Sequence, residues 1–207
     1  MEKAGYPFIL ICALVTVLFT FFGVSVLAVL SLLCTAFVCW FFRDPERIIP
    51  QDANALVSPA DGKIIIAEAI ENSPFTQGPS IKISIFMSVF NVHVNRIPCK
   101  AKVVGIDYYP GKFFSAHLDK ASKENEHNVL FLETEKGDKI CFVQIAGLIA
   151  RRIVCRINKG DLVERGQRFG LIRFGSRLDV YLPAGARLNV SVGDKVSSGE
   201  TVLGYLL

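Results

Sequence analysis

The sequence predicts a mainly β domain preceded by a hydrophobic helical hairpin, on three observations. First, the run Ala4–Phe42 includes no charged side chain. Second, almost all of the charges lie in the part that follows, where they make up about 24% of the residues, as is typical of a soluble domain. Third, this second part contains several Ile-, Val- and Phe-rich segments bounded by turn residues. We therefore divide the chain into a membrane-attached segment, residues 1–42, and a β-rich domain, residues 43–207.

The charge-free run is long enough for two membrane helices. One straight helix of this length would extend about 58 Å, nearly twice the ~30 Å of a bilayer core. Two helices of about 17 residues fit better, with Pro7 opening the first and Gly23 in the turn. One tilted span with an interfacial stretch is the alternative. A hairpin leaves Lys3 and Arg43 on one side, which the positive-inside rule makes the cytoplasmic face of the inner membrane.

Charge and cysteine content exclude several classes of protein. The net charge is only +4 and there is no run of basic residues, so no nucleic-acid partner is expected. The six cysteines are scattered and lack metal-ligand spacing, so we expect neither a disulfide framework nor a metal site. Unpaired cysteines are typical of a reducing compartment.

Five segments of the second part have the composition of β-strands. They are Gly62–Ala69, Ile81–Val89, Lys102–Tyr109, Asn128–Glu133 and Lys139–Ile145. Between the third and the fourth, Gly111–Asn128 has scattered charges and no clear period, which predicts a loop with at most one helical turn.

A short motif occurs twice near the C-terminus. Gly160–Gly166 and Gly193–Gly199 share the pattern G-D-x-V-x-x-G. This turn-then-strand pattern is the signature of the lipoyl-like barrel-sandwich, so we predict a quasi-symmetric sandwich of short strands. Lys195 follows the aspartate of the second copy, where a solvated turn lysine is favoured over a cofactor-carrying one.

Three polar motifs could carry chemistry. They are Ser58–Gly62 (SPADG), Asn91–Arg96 (NVHVNR) and Phe174–Arg177 (FGSR). Each is common in turns or cores when taken singly. Together they supply Asp61, His93 and Ser176, the parts of an assisted hydroxyl nucleophile, which only the fold could bring together. The G-x-S-x-G pattern of many hydrolases is absent.

These motifs in combination resemble the phosphatidylserine decarboxylases of the short prokaryotic type. The resemblance includes the Phe41–Pro45 exit from the apolar run and the Arg173–Pro183 segment, and it covers most of the chain, Phe41–Leu207. It implies a membrane-bound, pyruvoyl-dependent carboxy-lyase. Such an enzyme converts phosphatidylserine in the bilayer to phosphatidylethanolamine and CO2.

The resemblance also implies self-cleavage. Ser176 Oγ would attack the carbonyl carbon of Gly175, and β-elimination of the resulting ester would break the chain. The products would be a β chain of residues 1–175 and an α chain of residues 176–207, which stay associated. Ser176 would become a pyruvoyl group whose carbonyl forms a Schiff base with the substrate amine and accepts electrons, with no metal required.

Site roles are carried over residue by residue. Asp61 matches the aspartate that supports self-cleavage, and His93 matches a histidine of the decarboxylation step. Long bacterial relatives have a second histidine where this chain has Arg96, and a guanidinium cannot act as a base near neutral pH. Either His93 serves both steps, or Asp61 is the base in a buried setting that favours its protonated form.

Several alternatives remain open at this stage. An ether-linked archaetidylserine-type lipid would present the same headgroup chemistry, and Arg177 and Lys112 are candidate phosphate contacts. A homo-oligomer is possible. A membrane-anchored adaptor with a lipoyl-like sandwich and an esterase that uses intact Ser176 are the competing functions. Self-cleavage separates the decarboxylase from both.

Overall fold

The computed structural model describes residues 1–75, 78–114, 124–147, 152–173 and 176–207. The chain divides into two compact units, Met1–Glu46 and Arg47–Leu207. The boundary lies four residues after the predicted end of the apolar segment. Each unit is described by itself.

The first unit is the predicted pair of helices. A 3-10 turn, Lys3–Gly5, leads into α1, Tyr6–Phe21, with Pro7 in its first turn. The second helix, α2, spans Ser25–Phe41. Between them Gly23 has a φ of +70°, in the left-handed region that glycine adopts without strain, so the chain reverses there.

The outer surface of this unit is apolar, and polar contacts join its two helices and its two ends. The hydroxyls of Thr16 and Thr35 lie 3.2 Å apart between the two helices, and the Glu2 amide donates to the Phe42 carbonyl at the base of the pair. No residue of α1 is buried. By length and composition, Lys3–Phe21 could cross a membrane, and α2 is a shorter apolar helix.

The second unit is built of antiparallel strands. They are β1 Ala55–Val57, β2 Gly62–Ile70, β3 Ser80–Met87, β4 Val94–Arg96, β5 Ala101–Tyr109, β6 His127–Glu133, β7 Lys139–Ala146, β8 Ile153–Cys155, β9 Leu162–Val163, β10 Arg168–Ile172, β11 Ser176–Pro183, β12 Arg187–Leu188, β13 Lys195–Val196 and β14 Val202–Tyr205. Eight form one sheet in the order β13–β2–β3–β11–β7–β6–β5–β9. The three-stranded sheets β1–β14–β12 and β4–β10–β8 complete the unit.

All five strands predicted from composition are confirmed, as β2, β3, β5, β6 and β7, with ends within two residues of the prediction. Their side chains alternate between two faces. On β3, for example, Ile81, Ile83, Ile85 and Met87 all belong to the main core. We call the face of the large sheet that packs against this core the inner face.

The repeated motif has a structural counterpart. Its first copy forms β9 and its second forms β13, which are the two edge strands of the large sheet. Gly166 and Gly199, which end the two copies, both have positive φ, and the side chain of Ile49 lies against both. The two edges therefore approach one another, and the sheet is curled into a half-barrel as the sequence predicts. Lys195 lies in β13 and is exposed.

The glycine that follows each copy lies in the middle strand of a small sheet. Gly170 in β10 faces the backbone of β8, and a Cβ built on it would overlap the Val154 carbonyl oxygen. Gly204 in β14 has the same relation to Arg187, whose carbonyl oxygen would lie 2.6 Å from the added Cβ. Both glycines thus allow a close approach of two backbones that a side chain would prevent.

We expect Gly170→Ala to lower the free energy of unfolding by about 1–3 kcal/mol, because the added methyl must push two paired strands apart. Circular dichroism during urea denaturation measures the change. Gly185→Ala is the matched control, because its Cβ would meet no atom within 4 Å. Equal stability of the two variants would contradict the proposed close approach.

Candidate active site

Ser176 is the first residue of β11, the fourth of the eight strands. It pairs with Met87 of β3 on one side and with Ala146 of β7 on the other. Its side chain points to the inner face and is fully buried. The hydroxyl donates a hydrogen bond to the Met87 sulfur, with an Oγ to Sδ distance of 3.3 Å. Ser176 is therefore held on both sides in a site that excludes solvent.

A line of buried carboxamides leads to the same sulfur. Asn128 Nδ2 donates to Gln144 Oε1 at 3.1 Å, and Gln144 Nε2 donates to Asn95 Oδ1 at 2.9 Å. Asn95 Nδ2 then approaches Met87 Sδ at 3.8 Å. All three carboxamides are at most 3% exposed. We call Asn128, Gln144 and Asn95 the carboxamide line.

His93 lies directly before β4 and is buried. Its Nδ1 is 2.9 Å from the carbonyl oxygen of Asn91. A carbonyl only accepts, so Nδ1 carries the hydrogen and Nε2 of the neutral ring carries the lone pair. Asn91 is fixed in turn, because its Oδ1 accepts from both the amide and the hydroxyl of Ser88.

Asp61 makes a different set of contacts. Both of its carboxylate oxygens accept from Arg47 Nη2, at 3.1 and 2.9 Å, and Oδ1 also accepts from the Ser198 amide at 2.7 Å. Asp61 directly precedes β2, which is two strands from β11, so about 10 Å separates the two backbones. Among the described residues, the structure does not join Asp61 to Ser176 by a hydrogen bond.

Arg47 also binds Glu200, the residue that directly follows the second copy of the repeat. Its Nη1 donates to Glu200 Oε2 at 2.8 Å, and the Ile48 amide donates to Glu200 Oε1 at 3.2 Å. The hydrogen bond from Arg47 holds the pKa of Glu200 below its ordinary value. We call Arg47–Ile49 the strap, because it joins the SPADG loop to the two glycine turns.

Arg96 is buried, and two of its hydrogen bonds go to backbone carbonyls. Its Nη1 donates to the Gly166 carbonyl at 3.1 Å, and its backbone amide donates to the Pro59 carbonyl at 2.9 Å. The guanidinium that stands at this position therefore binds the Gly166 turn, and the backbone of the same residue binds the SPADG loop.

The candidate phosphate contacts lie elsewhere. Arg177 is on the outer face of β11, fully buried, and donates to Asp179 at 2.5 and 2.9 Å and to Ser84 at 3.0 Å. Lys112 is exposed and pairs with Glu124 at 3.1 Å. Burial keeps Arg177 from a lipid phosphate. Gly175, the predicted cleavage partner of Ser176, is outside the described residues.

The buried thiols are poor nucleophiles. Burial raises the pKa of Cys99 to about 12 and raises the pKa of Cys141 as well, so both stay protonated near neutral pH. The described residues contain no group of three or more His, Cys, Asp or Glu side chains that could hold a metal ion. Ser176 and His93 are both buried, and they present a hydroxyl and an imidazole ring.

Comparison with known proteins identifies the family. The family model described as phosphatidylserine decarboxylase matches residues 34–204. A phosphatidylserine decarboxylase proenzyme of Desulfotalea psychrophila is 52% identical over 207 residues, 100% of this chain and 97% of the relative. Those of Syntrophus aciditrophicus and Geotalea uraniireducens are 52% and 54% identical, over 99% and 98% of this chain and 96% and 94% of theirs. The chain belongs to the phosphatidylserine decarboxylase family.

This membership confirms the resemblance from which the site residues were chosen. It also identifies the chain as a decarboxylase. The three relatives are named as proenzymes, that is, as precursors that are processed. Ser176 and His93, predicted from motifs of the family, lie in the buried part of the fold described above. Their individual roles remain predictions.

Sequence reasoning missed Met87, Gln144, Asn128 and Arg47 as part of the site. One signal was present. Gln144 interrupts an otherwise apolar strand at a position facing inward, where an unpaired carboxamide would be costly. Its partners could not be inferred, because Asn95 is 49 residues away in the chain.

A cavity of about 710 Å³ lies at the other end of β11 in the decarboxylase fold. It is lined mainly by apolar side chains, among them Phe75, Phe131 and Pro183. Pro183 is seven residues from Ser176 along an extended strand, about 23 Å away. This cavity is therefore remote from Ser176.

We expect acid to weaken the β unit partly through Glu200. Because the folded pKa of this carboxyl lies below the ordinary 4.5, its stabilising contribution is complete above about pH 4.5 and is lost as pH falls through the lower folded value. Glu200→Gln should flatten part of that acid decline. Thermal unfolding followed by circular dichroism between about pH 3 and 7 measures it, with exposed Glu71→Gln as the control. An unchanged profile in Glu200→Gln would contradict the role of the strap.

Proposed function

We propose that this decarboxylase is a proenzyme that cuts its own backbone between Gly175 and Ser176 and acts on phosphatidylserine at a membrane. The observation that carries the proposal is the fully buried Ser176 hydroxyl at the start of a central strand, in a chain of this family. In the cleavage, Ser176 Oγ bonds to the Gly175 carbonyl carbon as the C–N bond breaks. β-Elimination of the ester then leaves a carboxyl on Gly175 and dehydroalanine at residue 176. Water hydrolyses the dehydroalanine to a pyruvoyl group and ammonia.

The residues around Ser176 suit a pyruvoyl group formed in place. The Ser176 side chain is fully buried in the uncut chain, which limits contact of a group formed there with bulk water. The Met87 sulfur is a weak acceptor, so the hydroxyl proton is held loosely before cleavage. A pyruvoyl carbonyl here would supply, through a Schiff base with the substrate amine, the electron sink that protein side chains lack.

The strand pairing supports retention of the α chain after cleavage. All eight residues of β11 pair with β3, and six pair with β7. Farther along, β13 pairs with β2 and β14 pairs with β1. A break before Ser176 would leave these ladders intact, so residues 176–207 would remain part of the sheet.

His93 is proposed to manage a proton in the decarboxylation step. Its tautomer is set by the Asn91 carbonyl, which makes Nε2 the nitrogen that acts as a base or, when protonated, as an acid. Loss of CO2 leaves a carbanion at the substrate Cα, and His93 protonated at Nε2 can then deliver the proton that this carbon needs. Asp61 is proposed to support self-cleavage indirectly, since its carboxylate is bound to Arg47 and Ser198.

The apolar helices support attachment to the inner membrane, where the substrate is located. Many large side chains of both helices are exposed, including Leu10, Leu14, Leu30 and Leu33. Burying such surface in a bilayer is favourable by about 25 cal/mol per Å². With Lys3 and Arg43 flanking the pair, we propose that both ends face the cytoplasm.

We expect the purified chain to give two masses under denaturing conditions, one for residues 1–175 and one of about 3.5 kDa for residues 176–207. Ser176→Ala should give one chain near 22.8 kDa, because the nucleophile is gone. Ser191→Ala, at an exposed turn, should be cleaved like the parent chain. A single uncut mass for the parent chain would overturn the proposal.

We expect His93→Gln to be cleaved but to turn over phosphatidylserine about 10²–10⁴-fold more slowly, because glutamine cannot transfer the proton. Release of CO2 from vesicles containing phosphatidylserine measures the rate. His127→Gln, at a histidine stacked on Tyr109, is the control. Normal turnover in His93→Gln would remove His93 from the decarboxylation step, and an uncleaved variant would assign it to self-cleavage.

A further inference from the structure

The carboxamide line ends at the Met87 sulfur, which accepts the hydrogen bond from the Ser176 hydroxyl. Packing alone does not explain three buried carboxamides in this line. We propose that Asn128, Gln144 and Asn95 are positioning residues for Ser176 that act through the thioether of Met87. The inference rests on self-cleavage at Ser176. It assigns to four further residues the task of orienting the hydroxyl before it attacks.

The cost of burying three carboxamides is the first argument. Each is almost completely removed from water, and Asn128 and Gln144 lie on strands whose other inward-facing side chains are apolar. A buried amide offsets its lost hydration only if it is hydrogen-bonded, and apolar side chains of similar volume would avoid that cost. A line of three therefore indicates a role beyond stability.

The line also has a direction. Gln144 Oε1 accepts from Asn128, so Gln144 Nε2 faces Asn95. Asn95 Oδ1 accepts that bond, so its Nδ2 faces the Met87 sulfur. Each amide thus sets the orientation of the next, and the line delivers a donor to the sulfur.

The Met87 sulfur in turn sets the direction of the Ser176 hydroxyl hydrogen. A thioether has no proton to donate, so the hydroxyl must be the donor, and its hydrogen points at Sδ. The oxygen lone pairs then point away from Met87 and are not engaged by the sulfur. Methionine is flexible, with three rotatable bonds, and the bond from Asn95 restrains where the sulfur sits. Among the described residues, Met87 is the hydrogen-bond partner of the Ser176 hydroxyl.

The test changes the sulfur with little change of shape. The chain has only two methionines, Met1 and Met87, so norleucine incorporation replaces the sulfur by a methylene at one internal position. Selenomethionine is the matched control, because selenium retains lone pairs. We expect norleucine and Met87→Leu to slow self-cleavage of the full chain about tenfold, and selenomethionine to leave it near the parent rate. Intact mass at successive times after synthesis measures the rate.

Stability is measured separately, with each change placed in the uncleavable Ser176→Ala chain. A positioning role predicts slow cleavage without a matching loss of stability. Gln144→Met should also slow cleavage, and in a Met87→Leu background it should add little, because both act along one line. Ile85→Leu, on the inner face of the same strand, controls for altered packing and should cleave normally.

Several results would overturn the inference. They are a parent-like rate with norleucine, a slow rate that follows lost stability, equal slowing by Ile85→Leu, or additive effects of Met87→Leu and Gln144→Met. In each of these cases the parent chain is still cleaved, so the proposed function stands. A parent chain that is never cleaved overturns the proposed function and this inference together.

Discussion

The pairing of Ser176 between two neighbouring strands is the constraint on which the rest of the site depends. Its backbone is bound to β3 through Met87 and to β7 through Ala146, so the side chain can occupy one place on the inner face. The ladder with β3 continues to Pro183, at the C-terminal end of β11, and the ladder with β7 continues to Tyr181. A cut immediately before this strand would remove no ladder hydrogen bond from it. The proposed nucleophile and the segment that would be retained after a cut are thus positioned by one set of interactions.

A second constraint comes from the two copies of the glycine motif. They form the opposite edges of the large sheet, and the side chain of Ile49 lies against the final glycine of each copy. The sheet is therefore curled. The SPADG loop lies beside the second copy. In this arrangement Arg47 can reach both Asp61 and Glu200. The aspartate that motif comparison assigns to self-cleavage is therefore also the anchor of the strap. Its ionic partner precedes it by only 14 residues but is not part of the SPADG motif.

Much of the fold could be predicted because strand formation depends on local composition. Alternating or continuous runs of Ile, Val and Phe predicted five long strands, and glycine with aspartate predicted the turns of the repeat. Several strands were not predicted, namely β1, β4, β8, β10, β11, β12 and β14. The short ones carry no period and form because neighbouring strands pair with them. In β11, the buried polar residues Arg177 and Asp179 alternate with apolar ones, so composition does not indicate a core strand. The motifs located Ser176, His93 and Asp61, but not their contacts.

The sequence by itself determined the charge-free hairpin, the main strands, the repeat and the three motifs, because each is a property of neighbouring residues along the chain. Only the tertiary structure decided that Asp61 binds Arg47 and that Ser176 donates to Met87. It also decided that Asn95, Gln144 and Asn128 form one line. These contacts join residues up to 89 positions apart. Their geometry depends on strand order and register, and no local pattern specifies either one.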